Sequence, residues 1–191
     1  MKDTRQKIMD AALKVFGRDG ISGATTREIA RVGKVNEVTL FRYFKNKNEL
    51  LQQAVLCSAT RYEQVFAEAS LKSPEDLRRT VRSYAEAYAT KLSENEGLVR
   101  TFMGELNRHL KLWRSLFAES AKNSRQKFIA YLSAGQKAGL VRKDLDPETA
   151  ADALTGMLMS GMLRSPLTDS FYPSKRYVET CVGLFLKGIE R

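Results

Sequence analysis

Apolar positions along this chain recur every three or four residues almost from end to end, a spacing that lines one face of an α-helix and does not suit a strand. From Asp3 onward, Ile8, Ala12 and Phe16 repeat every fourth residue with Met9 and Leu13 beside them, and the stripe stops near Gly20. Thr25-Thr26-Arg27-Glu28 has the spacing of a capping box, in which the Thr25 hydroxyl and the Glu28 carboxylate each take an orphan backbone N–H. Ile29 and Ala30 continue that short second helix, and Gly33-Lys34 breaks it. A third short helix is expected from about Asn36 to Phe44. The cap signature returns at Asn46-Lys47-Asn48-Glu49, ahead of a stripe of Leu51, Val55, Ala59, Tyr62 and Phe66.

Beyond it, Ser73-Pro74-Glu75-Asp76 reads as a helix start with proline at the first helical position, followed by Leu77, Val81, Tyr84, Tyr88 and Leu92. Leu98, Phe102, Leu106 and Leu110 form another stripe, and a longer one from Trp113 to about Ala138 includes Phe117, Phe128 and Leu132. A loop is expected over Gly139 to Asp146. Asp146-Pro147-Glu148 opens a helix with Leu154, Met157, Leu158 and Met162; Ser165 to Pro173 interrupts it; and Ser174 opens a last helix with Tyr177, Cys181, Phe185 and Ile189. The pattern therefore predicts an all-α protein of about nine helices with no convincing strand.

Composition narrows the function more by exclusion than by assignment. At 191 residues, 43% hydrophobic and 28% charged, the chain has the balance of one large or two small globular domains. The net charge is +10, which favours phosphate backbones or an anionic surface as partner. Residues 1–56 hold 11 basic against 6 acidic side chains, so half of the excess charge falls in under a third of the length. Two distant cysteines, Cys57 and Cys181, suit a reducing compartment and a cytoplasmic location. No signal-peptide core follows the N-terminus, and the most apolar stretch, Ala150 to Leu163, is interrupted by Asp152 and Thr155, so no membrane span is expected. One histidine and two scattered cysteines give no metal-ligand spacing, and neither a phosphate-binding glycine loop nor a nucleophile elbow is present. We expect no metal, no cofactor and no enzyme.

The capped helix, tight break and second short helix of residues 25–47 form a helix-turn-helix, whose second helix can enter the major groove of DNA while the first crosses the backbone. Ile29, Ala30, Val35, Leu40, Phe41 and Phe44 are expected to hold the pair against the first helix, leaving Arg27, Asn36, Glu37, Thr39, Arg42 and Tyr43 outward. The order Thr-Thr-Arg-Glu-Ile-Ala, then Val-x-x-x-Thr-Leu-Phe-Arg-Tyr-Phe, then x-x-Lys-x-Glu-Leu-Leu resembles the DNA-binding domain of tetracycline-repressor (TetR) family transcriptional regulators over residues 5 to about 55. Two departures stand out. Lys34 occupies the turn position where the family usually has a glycine in left-handed backbone, and Glu37 and Val38 replace the usual small or basic residues before Thr39-Leu40.

The resemblance implies roles residue by residue. Thr26, Tyr43 and Lys47 match positions that grip phosphates; Arg27, Asn36, Glu37, Val38 and Thr39 match positions that face base edges. Arg42 is either a DNA contact or a solvated surface charge, and Thr25 and Glu28 need be no more than caps. The resemblance also implies a helix-turn-helix domain over residues 1–48 and a helical ligand-binding and dimerisation domain over 49–191. An unknown small-molecule effector would sit among the middle helices, with Phe66, Tyr84, Tyr88, Phe102, Met103, Trp113, Phe117 and Met159 as pocket candidates, although stripes at helical spacing normally pack as plain core. Glu105 and His109, four apart, can face such a ligand or simply pair with each other.

The last two helices look like the family's homodimer seam, a four-helix bundle between subunits. Gly156, Ser160 and Gly161 allow close approach, and Leu154, Leu158, Gly161, Val178, Cys181 and Phe185 are the seam candidates against an intrachain core. Cys181 either approaches its twin across the two-fold axis or is a buried thiol. The expected function is a homodimeric DNA-binding repressor released from a palindromic operator in double-stranded DNA by its effector, with no membrane partner. A helical adaptor that binds nucleic acid or acidic proteins without sequence preference is the alternative.

Overall fold

A computed structural model describes residues 3–60, 72–105, 110–164 and 174–190. Among them are nine helices and, in place of any strand, one isolated bridge between Val141 and Glu190. The chain divides into two compact units, Met1–Arg61 with Asn95–Ser120 and Tyr62–Glu94 with Ala121–Arg191. The boundary expected after residue 48 does not coincide with that division, because Leu50, Leu51 and Ala54 are buried in the same core as the first helix.

In the first unit, α1 (Thr4–Gly23) is interrupted at Gly20, where φ is 75° and ψ is 173°, a conformation glycine enters without steric cost. The stripe therefore ends where the backbone turns. α2 (Thr26–Gly33) starts on Thr25, whose hydroxyl accepts the Glu28 N–H at 3.1 Å. The other half of the expected capping box is absent. Glu28 instead accepts from Arg31 at 2.7 and 2.8 Å and from Arg18 at 2.8 Å, since charged donors outcompete a backbone amide for a carboxylate. Those guanidiniums hold the Glu28 carboxyl down to about 2.

Lys34 ends α2 in left-handed backbone, φ 54° and ψ 44°, with its N–H on Arg31 and the Val35 N–H on Ala30 at 3.0 Å. A side chain there costs about 1 kcal/mol, and no other described non-glycine residue has a positive φ. Lys34→Gly is expected to raise stability by no more than about 0.5 kcal/mol, the relieved strain less the added chain entropy, measured by urea denaturation.

α3 (Glu37–Tyr43) begins on Asn36, whose side-chain oxygen accepts the Val38 N–H at 2.8 Å. α4 (Lys47–Thr60) begins with a reciprocal pair: Asn46 accepts the Glu49 N–H at 2.9 Å, and Glu49 accepts the Lys45 N–H at 2.8 Å. Ile8, Ala12, Val15 and Phe16 of α1 meet Ile29 of α2, Leu40 of α3, Phe44, and Leu50 and Leu51 of α4 in one core. α6 (Glu96–Glu105) lies on α1 through a glycine pair. A Cβ on Gly97 would stand 2.8 Å from the Gly17 carbonyl oxygen, and one on Gly17 would stand 2.9 Å from the Leu98 nitrogen. The Thr101 hydroxyl donates to the Phe16 carbonyl at 3.2 Å across the same crossing.

The second unit holds α5 (Pro74–Glu94), most of α7 (Leu110–Lys137), α8 (Pro147–Arg164) and α9 (Lys175–Ile189). Their starts are set by short side chains: Ser73 accepts from Asp76, Asp146 from Thr149, and Ser174 from Tyr177, with Pro74 and Pro147 placed where the missing N–H is harmless. Tyr84 stacks on Phe128 with ring centroids 4.2 Å apart, and Phe128 meets Phe185 at 6.1 Å, joining α5, α7 and α9. Arg125 of α7 grips Asp152 of α8 through two bonds of 2.8 and 2.9 Å. The Tyr177 hydroxyl donates to the Met157 carbonyl at 2.7 Å, closing α9 on α8. None of the described helices is long and apolar enough to cross a membrane.

Candidate nucleic-acid interface

The two short helices are held from behind. Leu40 and Phe44 are fully buried, while Val38 is 69% exposed, Phe41 50% and Tyr43 41%. α3 is thus anchored by one inner edge and presents the rest of its surface outward, as a helix that must enter a groove requires. Phe41 departs from the sequence expectation, which put it in the core. Leu40 and Phe44, four residues apart, already complete the inner edge, and Phe41 lies a further 100° around a helix of only seven residues.

Arg27 and Arg42 are exposed, Thr39 is half-buried, and all three are carried by α2 or α3. Asn36 is exposed and its oxygen is engaged as the cap of α3, so its amide hydrogens are the part that can face outward. Thr26, the first residue of α2, donates its hydroxyl to Glu37 Oε1 at 2.6 Å. A residue that matches the family pattern, Thr26, is therefore tied to one that departs from it, Glu37. Behind them, the Arg5 guanidinium lies 5.6 Å from the centre of the Phe44 ring and bonds Gln53, fixing α1 against α4.

Lys47 has a structural task that its sequence position did not disclose. Its ammonium donates to the Ile21 carbonyl at 2.7 Å and the Ala24 carbonyl at 2.9 Å, satisfying acceptors at the end of α1. The signal available was the helix end just before Thr25, whose last carbonyls need donors. Lys47→Ala is expected to lower stability by about 1–2 kcal/mol, seen as a shifted denaturation midpoint with an unchanged slope.

In the second unit Tyr84 is closed inside the aromatic stack, and burial raises its phenol pKa strongly. Tyr88 and Met159 are half-buried, and burial with the nearby Asp152 charge pushes the Tyr88 phenol up to about 12. Met103 is 49% exposed. Phe66 and His109, together with the side chains of Phe102, Glu105, Trp113 and Phe117, lie outside the described residues.

All six seam candidates, Leu154, Leu158, Gly161, Val178, Cys181 and Phe185, are buried inside the unit. Three lie on α8 and three on α9, so both helices turn these faces into the unit. The outward faces of the same helices carry Ala153, Gly156 and Ser160 on α8 and Leu184, 61% exposed, and Gly188 on α9. Burial raises the Cys181 thiol pKa, so this group is a weak nucleophile.

A short capped helix, a left-handed turn and a second helix offered to solvent on a buried anchor define a DNA-binding protein of the helix-turn-helix class. The chain belongs to the TetR family of bacterial transcriptional regulators. Residues 8–54 match the family described as bacterial regulatory proteins, tetR family, and residues 73–178 match the tetracyclin repressor-like C-terminal domain. The chain is 23% identical to the HTH-type transcriptional regulator YvkB of Bacillus subtilis, over 99% of its own length and 98% of that protein. It is 27% identical to the HTH-type transcriptional repressor NicS of Pseudomonas putida, over 74% and 68%. The fold is that of the fatty acid degradation regulator FadR from Bacillus halodurans, with a TM-score of 0.82 at 22% identity, covering 100% of this chain and 99% of that one.

Proposed function

We propose that this regulator acts as a cytoplasmic homodimeric repressor that holds a palindromic operator through two copies of α3 and releases it when a small molecule binds the second unit. The observation that carries the reading is the outward α3, with Val38, Phe41, Arg42 and Tyr43 exposed above a buried Leu40 and Phe44. One such helix reaches only a few base pairs, so useful affinity needs a second copy on the other half-site.

The surface for pairing is a groove of about 410 Å³ on the α8–α9 side, lined by Ala153, Met157, Leu184 and Gly188 among others. Small residues there let helices approach closely, and Leu184 supplies an apolar knob. Among the pocket candidates, Tyr88 and Met159 are half-buried, as side chains at the edge of an effector site would be. An effector that binds the DNA-free form more tightly lowers operator affinity by the ratio of its two affinities, and the operator weakens the effector by the same factor.

Selection of bound fragments from random duplex DNA tests the reading. A two-fold symmetric site with half-sites about one helical turn apart is expected; enrichment without any consensus would contradict it. Within that site, exposed Phe41 and Val38 are expected to touch thymine methyl groups. Replacing thymine by deoxyuridine at the contacted step should weaken wild-type binding several-fold and leave Phe41→Ala binding nearly unchanged, in fluorescence-anisotropy titrations.

A further inference from the structure

The junction of α2 and α3 holds a carboxylate where DNA would sit, and its partner says how it is used. Glu37 opens α3, the end of a recognition helix that meets base edges. A carboxylate in that position is repelled by phosphates and by the acceptor atoms that dominate guanine's groove edge. Glu37 is nevertheless not folded back onto a cation. Its Oε1 accepts the Thr26 hydroxyl at 2.6 Å, and Oε2 has no partner among the described residues. A hydroxyl has one proton to give, so while Thr26 holds Glu37 it cannot donate to a phosphate. The bond instead stops the Glu37 side chain from rotating and leaves one oxygen with open lone pairs.

Only two bases offer an amino group to such an oxygen in the major groove. Adenine sets the acceptor N7 beside its amino group, which faces the carboxylate with a second lone pair, whereas cytosine has a C–H there. Resting on the reading of the protein as a sequence-specific regulator, we propose that Glu37 reads a cytosine in each half-site through Oε2, with Thr26 as the residue that positions it.

The test uses the full-length dimer and the selected operator, with every base pair of both half-sites substituted in turn and binding measured by anisotropy. Wild-type protein should lose about tenfold or more when one particular C·G pair is replaced. Glu37→Ala should bind that substituted site and the parent site alike. Glu37→Gln should shift the preference at the same pair from cytosine to adenine, to which the glutamine amide can donate at N7 and from whose amino group it can accept. Thr26→Val should flatten the cytosine preference, and Thr26→Ser should restore it.

A base-preference profile unchanged in both Glu37 variants overturns the assignment while leaving the wild-type palindrome, and so the regulator reading, intact. Thr26→Val weakening all sequences equally, with a smaller salt dependence, would show the hydroxyl on a phosphate and overturn the positioning role. A wild-type protein with no preferred sequence removes both readings together.

Discussion

Leu184→Glu is expected to produce a folded monomer whose operator affinity is lower by roughly 100-fold or more, because a second half-site bound by the same particle gains from effective concentration and a lone protomer does not. Leu184 is 61% exposed on α9 and lines the groove with Ala153 and Met157. On a two-fold seam each carboxylate would meet its own copy or apolar surface, and neither neutralises it. The interior of the unit should not notice, since Phe185 and Leu186 carry the inner face of α9. Sedimentation velocity reads the mass and circular dichroism the fold. A Leu184→Glu protein that stays dimeric would move the seam elsewhere.

Gly97→Ala is expected to destabilise the first unit by about 1–3 kcal/mol, although glycine to alanine inside a helix ordinarily stabilises by up to about 1 kcal/mol. The sign reverses because the new methyl would stand 2.8 Å from the Gly17 carbonyl, and backbone on both sides cannot step aside as a side chain would. Gly104 sits in the same helix with nothing within 4 Å of its added Cβ, so Gly104→Ala should raise the melting temperature while Gly97→Ala lowers it. Equal shifts in the two variants would mean that α6 does not rest on α1 through this pair. The crossing bears on function because α1 is also the floor under α2 and α3.

Most of the fold was legible because the helices are long. A stripe such as Leu77, Val81, Tyr84 and Leu92 runs for several turns, and Ser73, Asp146 and Ser174 mark starts by a mechanism that acts within three residues. Phe41 was misplaced for the opposite reason: seven residues make under two turns, and three neighbouring apolar side chains cannot all face inward. The seam candidates are buried inside the unit for a different reason. The strongest apolar stripe of α8 and α9 packs in the chain's own core, and the outward faces carry Ala153, Gly156, Ser160, Leu184 and Gly188, of which only Gly156 and Ser160 stood out in the sequence, as small residues that allow close approach.

Contacts made by atoms that sequence does not rank were out of reach. The Gly17–Gly97 approach depends on the absence of side chains, and the Lys47 ammonium serves carbonyls more than twenty positions earlier in the chain. Glu28 shows how local competition decides. Its spacing from Thr25 suits a capping box, yet Arg18, ten residues earlier, and Arg31 take the carboxylate.

The mass of the complex between the purified protein and its selected duplex, taken by native mass spectrometry over a range of protein concentrations, tests the central claim most directly. Two protomers per duplex, falling to a much weaker single-protomer complex when one half-site is scrambled, is the expected result. A single protomer that holds the intact and the half-scrambled duplex with equal affinity would contradict it.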